Sequence, residues 1–110
     1  MAKEIIWTKR AKEDKKSILN YWLKRNKSKE YPIKLNILLK EAVKWISENP
    51  KVRRETDYEG TYVKIIRDYQ ILYEEDPSRI YILTIWDTRQ NPDKLKERLE
   101  KRKSRDHNKP

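Results

Sequence analysis

Three apolar runs dominate the second half of the chain. They cover residues 62–66, 69–74 and 80–86, are rich in Ile, Tyr, Val and Trp, and are separated by Arg67-Asp68 and Asp76-Pro77-Ser78. β-Branched and aromatic side chains fit a pleated surface, whereas Asp, Pro and Ser favour turns, so the pattern predicts strands joined by tight turns. The run 80–86 is apolar at almost every position, which leaves neither face for water. It is expected at the centre of the sheet, covered by helices that come earlier in the chain. Residues 4–7, Glu-Ile-Ile-Trp, add a short strand to the same sheet.

The first half of the chain has helical periodicity. Thr8 is placed to cap a helix over 9–24, in which Ala11, Ile18, Tyr21 and Trp22 recur on one stripe between charged residues. After the break at 25–29, Ser28 and Glu30 suit a second helix start, and Pro32 is tolerated in a first turn. That helix carries Leu35, Leu38, Leu39, Ala42, Trp45 and Ile46 on one face and stops near Glu48, because Pro50 pushes Asn49 out of the helical region. The two helices form a hairpin able to cover one sheet face. The polar link 51–60 has room for an edge strand over 53–58, and Gly60, the only glycine, is expected at positive φ. Past Pro92, Leu95 and Leu99 at i, i+4 support a short helix, followed by a frayed basic tail. The fold class is therefore α+β: a small, mostly antiparallel sheet with an N-terminal helical hairpin packed on one face. One domain spans 1–92, with a basic helix or tail over 93–110, and there is no internal repeat.

With 110 residues the chain has one core. Charged residues make up 42% and hydrophobic ones 35%, so the apolar side chains must concentrate on few faces. Phe is absent, and four Trp and seven Tyr supply the aromatic area; their N–H and O–H groups need partners when buried. The net charge of +10 is not confined to the tail: removing the eight basic and four acidic residues of 93–110 leaves +6 on 1–92. That favours a polyanionic or acidic partner, or serves solubility alone. Without cysteine there is no disulfide, thiolate zinc site or thiol nucleophile. The first apolar run is far too short for a signal peptide and nothing is long enough to span a bilayer, so a cytoplasmic protein is expected, with no membrane partner.

One glycine cannot build a phosphate-binding loop, and the one histidine, His107, lies in the tail, so no metal or cofactor site is expected. Glu74, Glu75 and Asp76 fall at a turn and read as turn residues rather than an acid/base pair. What remains is cationic and aromatic. Lys64 alternates to the opposite face from Val63 and Ile65, Arg67 begins a turn, and Arg89 follows the last strand and can return beside them; Tyr69 and Tyr73 lie between. Lys and Arg grouped on a sheet face can grip phosphates and stabilise a phosphoryl transition state. The competing reading is a solvated face, with Arg89 locked to Asp87 or Asp93.

The chain resembles the RelE/ParE superfamily of bacterial type II toxin–antitoxin toxins over roughly Ile5 to Leu95. The likeness rests on the opening strand with Thr8-Lys9-Arg10-Ala11, the helical hairpin ending in Glu48-Asn49-Pro50, the strand Tyr69-Gln70-Ile71-Leu72-Tyr73, and Trp86-Asp87-Thr88-Arg89-Gln90-Asn91-Pro92. It implies a small sheet under a helical hairpin, a growth-inhibiting toxin, and a cognate acidic antitoxin laid across the fold. RelE-like members cut messenger RNA on the ribosome with Lys, Arg and a late Tyr or His; ParE-like members bind DNA gyrase. By position Lys64 and Arg89 match the family's basic residues. Gln70 stands where nucleases often have Arg, and Leu95 is near the place of the late Tyr or His. The basic body and the set Lys64, Arg67 and Arg89 favour ribosome-associated cleavage, in which Lys64 and Arg89 hold phosphate and Tyr69 or Tyr73 stacks a base or orients the 2′-OH. The alternative is gyrase inhibition, and a further one is a non-toxic nucleic-acid binder driven by the tail.

Overall fold

A two-residue turn, Arg67-Asp68, folds β3 (Tyr62–Ile66) onto β4 (Tyr69–Glu75), and the Asp76–Ser78 turn folds β4 onto β5 (Arg79–Asp87). The structure, a computed structural model, describes residues 2–107, with side chains described for 2–101. The chain order is β1 (Glu4–Trp7), α1 (Lys9–Asn26), α2 (Glu30–Glu48), β2 (Arg54–Glu55), then β3, β4 and β5, then α3 (Pro92–His107). The sheet order is β1-β5-β4-β3-β2, parallel only between β1 and β5. The expected α+β class with a mostly antiparallel sheet is thus observed. The strand at the centre, however, is β4; β5 lies beside it, between β4 and β1.

A bulge explains how β5 stays dry on both faces. Leu72 pairs with Thr84 but Tyr73 with Ile82, so Leu83 is an extra residue on β5. The side-chain alternation therefore switches there. Ile80, Ile82 and Ile85 all face the helical hairpin, where they pack with Ala11, Leu35, Leu39, Ala42, Val43 and Ile46. Leu83 and Trp86 face the other way and pack with Val63, Leu72, Leu95 and Leu99. The earlier helices cover only the first of these faces. The second is covered by α3, the expected C-terminal helix, whose Leu95 and Leu99 are buried against it.

The helix ends follow local chemistry. Thr8 caps α1, accepting from the Ala11 N–H at 3.2 Å, and its own hydroxyl donates to the Ile82 carbonyl at 2.7 Å, so the cap also docks α1 on β5. α1 runs to Asn26, two residues past the predicted end, and closes on Lys27 in the left-handed region at φ 50°. Ser28 is not the cap of α2; Lys29 holds that position without a side-chain bond, and the Ser28 hydroxyl accepts from the Glu30 N–H. The buried stripe of α2 is rotated from the predicted one. Val43 and Ser47 are buried, Leu38 is half-buried, and Trp45 is 37% exposed on the flank. On α1, Tyr21 is 47% exposed, while Ile18 and Trp22 pack against the core.

The expected edge strand is present but short, pairing Arg54 with Val63 and Glu55 with Tyr62. Gly60 adopts φ 77°, and a Cβ there would meet nothing within 4 Å, so the backbone conformation alone calls for glycine. Glu75, the last residue of β4, pairs with Lys3 just before β1 at 3.1 Å and with Arg53 just before β2. Asp76 organises its turn by accepting from the Ser78 and Arg79 N–H groups and the Tyr81 hydroxyl; these bonds lower its carboxyl pKa, the Ser78 N–H most. α3 continues as helix to His107, where a frayed tail beyond Leu99 was expected; residues 108–110 and the side chains of 102–107 lie outside the described residues.

Candidate functional site

The predicted site residues do not form one cluster: Arg67, Tyr69 and Arg89 lie at the end of the sheet marked by the β3–β4 turn, Lys64 sits in the middle of β3, and Tyr73 pairs with Tyr62 at the far end of β3. Lys64 points toward the helical face, as alternation requires, with its Nζ 3.8 Å from the centroid of the Trp45 ring of α2. Arg67 takes the first turn position between β3 and β4 at φ 53°, a conformation uncommon for a residue with a Cβ, and is exposed. Arg89 lies in the link after β5. Its guanidinium donates to both oxygens of Asp87, Nε to Oδ1 at 2.9 Å and Nη2 to Oδ2 at 2.8 Å, and its backbone N–H adds a third bond to Oδ1. This fork holds the Asp87 carboxyl below the usual carboxylate range and raises the guanidinium further above its own.

Thr88 donates to the Asp68 carbonyl from its N–H at 2.8 Å and from its hydroxyl at 2.9 Å, which ties the Arg67-Asp68 turn to the link that carries Arg89. Lys64 does not join them in a shared contact. Lys64 rests on α2, whereas Arg89 lies over the Trp22 ring of α1 at 5.5 Å.

Tyr69 and Tyr73 are core residues, 2% and 3% exposed. The Trp22 Nε1–H donates to the Tyr69 hydroxyl at 2.6 Å, and Tyr73 packs against Tyr62 at 5.8 Å between ring centroids, with the Arg53 guanidinium over Tyr62. Burial, the largest cause in both, pushes both phenols above the ordinary tyrosine range. These rings offer no exposed face to a base, and their hydroxyls are poorly suited to proton transfer near neutral pH.

Two groupings were not anticipated. Trp22 is flanked edge-on by Tyr21 at 5.1 Å and Tyr31 at 4.9 Å, and the Tyr21 hydroxyl accepts from Arg25 at 3.3 Å. On the other side of β5, the Asp14 carboxylate accepts from the Thr84 hydroxyl at 2.5 Å and the Ile85 N–H at 3.2 Å, while Arg98 of α3 donates to Thr84 at 2.9 Å and reaches Asp14 at 3.4 Å. Asp14 falls between Ala11 and Ile18 on the apolar stripe of α1, and that misplaced carboxylate was the available signal. Among the described residues no group of three or more His, Cys, Asp or Glu is placed to hold a metal ion, and no helix is long and apolar enough to cross a membrane.

The fold recurs in solved toxin structures. A chromosomal ParDE toxin–antitoxin system from P. aeruginosa superposes with a TM-score of 0.68 at 19% identity, covering 78% of this chain and 96% of that one. The toxin–antitoxin complex RelBE2 from Mycobacterium tuberculosis superposes at 0.56 with 21% identity, covering 79% and 99%. No curated protein matches the chain. The profile of the family described as ParE toxin of type II toxin–antitoxin system, parDE, matches residues 5–92, from the second residue of β1 to the first of α3. The chain thus belongs to the ParE toxin family, within the RelE/ParE superfamily of type II toxin–antitoxin toxins.

Proposed function

We propose that this toxin inhibits growth by binding DNA gyrase without cutting RNA, and that a cognate acidic antitoxin neutralises it. The observation that carries the reading is the Arg89–Asp87 fork. A cation that must grip a scissile phosphate has to be available to it, and this guanidinium is already satisfied by a carboxylate on both oxygens. The burial of Tyr69 and Tyr73 points the same way. Sequence alone favours ribosome-associated cleavage; the geometry of these side chains moves the preference to a toxin that acts by binding.

The antitoxin reading rests on the family and on surface chemistry. The net +6 over 1–92 complements an acidic partner. β2 pairs with only Tyr62 and Val63, so the edge of β3 from Lys64 to Ile66 has no strand beside it among the described residues and is open to an added partner strand.

One purified sample serves both tests. The expected result is blocked gyrase supercoiling with intact message in a translation reaction. Stalled translation with cut message, abolished by Arg89→Ala, overturns the proposal and restores the nuclease reading.

A further inference from the structure

The turn of the helical hairpin is strongly basic, and among the described residues no ion pair neutralises it. Residues 24–34 carry Lys24, Arg25, Lys27, Lys29 and Lys34 against the single acid Glu30. All five are exposed. Arg89 meets the same pole through Trp22, and the Asp68–Thr88 bonds tie the Arg67-Asp68 turn to the link that carries Arg89. By contrast, the far half of α2 balances Lys40 and Lys44 with Glu41 and Glu48, and α3 up to Lys101 interleaves its cations with Asp93, Glu97 and Glu100 and spends Arg98 on Asp14.

From this arrangement we infer that the hairpin pole, centred on Lys24, Arg25, Lys27 and Lys29, binds the phosphate backbone of duplex DNA. Flexible ammonium groups on a convex turn release counterions from a polyanion without reading its sequence. Duplex is favoured over single strands because single-strand binding draws on free aromatic faces. Here Trp22 is taken up by Tyr21, Tyr31, Arg89 and its bond to Tyr69, which leaves Tyr21 as a single exposed ring rather than a row of stacking faces. The inference goes beyond the gyrase reading and does not need it. A toxin with another target retains this pole, and a gyrase-directed toxin without DNA affinity loses only this inference.

The test uses the full chain and fluorescence anisotropy with a short fluorescein-labelled duplex of mixed sequence, titrated between about 50 and 200 mM salt. The triple variant Lys24→Gln, Lys27→Asn and Lys29→Gln is compared with Lys9→Gln, Lys12→Gln and Lys44→Gln. The second set removes the same charge at the other end of the hairpin, about 20 Å away by helix rise and beyond the Debye length. The pole variant is expected to lose at least about tenfold in affinity and to show a log–log salt slope shallower by about 2 to 3. The distal variant is expected to bind like the parent. Equal losses in the two variants, no duplex binding by the parent, or tighter binding of single-stranded DNA or RNA of the same length each overturn the inference.

Discussion

The indole N–H of Trp22 donates to the hydroxyl of Tyr69 at 2.6 Å, so a residue in the last half of α1 is fastened to the first residue of β4. This bond gives Tyr69 a structural occupation. Removing the acceptor in Tyr69→Phe leaves a part-buried indole N–H without its partner and should cost about 1 kcal/mol, read as a lowered urea midpoint. Growth inhibition on induction should persist. Lost toxicity with an unchanged midpoint would instead make the hydroxyl functional.

The Asp87–Arg89 fork predicts a pH dependence. Asp87 has a depressed carboxyl pKa in the folded state, chiefly through the Arg89 hydrogen bonds. Its contribution is therefore fully present above the ordinary aspartate value of about 3.9 and is lost as pH falls through the lowered folded value. The pair is partly exposed, so the contribution is below about 1 kcal/mol. Urea midpoints should drop less steeply below about pH 4 in Asp87→Asn than in the parent. Parallel curves for the two proteins would dissociate the fork from acid stability.

Gly60 is tested by backbone geometry alone. At φ 77°, with no atom within 4 Å of an added Cβ, Gly60→Ala should lose about 1 kcal/mol purely through left-handed strain, and Gly60→Asn less. Thermal melting of the three proteins should follow the order Gly, Asn, Ala. If alanine is neutral, the link 51–60 can relax to negative φ.

The strands were legible because β-branched and aromatic runs bounded by turn residues specify them locally, and the parity of Lys64 followed from β3 being regular. Parity failed only where it depends on pairing. No local signal marks Leu83 as the extra residue, yet the bulge decides that Ile82 and Ile85 share a face and that Thr84 meets Asp14. The spacing of Leu95 and Leu99 marked a short helix but not its docking, since two leucines with charged flanks become core residues only once Leu83 and Trp86 present a face to them. At the site, the positions of Lys64, Arg67 and Arg89 were legible but their occupations were not. Spacing puts Asp87 within reach of Arg89, but the competition between a carboxylate and an incoming phosphate is a matter of side-chain geometry.

Whether α3 is a working part of the domain can be decided by two substitutions. Leu99 is 3% exposed beneath Leu83 and Trp86, and Leu99→Ala should cost about 2 to 5 kcal/mol if that contact forms part of the cooperative core. Arg98→Ala acts differently. It removes the cation beside Asp14 while leaving the carboxylate its bonds to Thr84 and Ile85, so it should loosen α3 more than it destabilises the sheet. Hydrogen exchange separates the two. Leu99→Ala should raise exchange across β4 and β5 together with α3, whereas Arg98→Ala should raise it in α3 first. If Leu99→Ala leaves the urea midpoint and the β5 amides unchanged, α3 is an appendage and the core ends with Pro92, as the polar character of 93–110 suggests when read without the sheet.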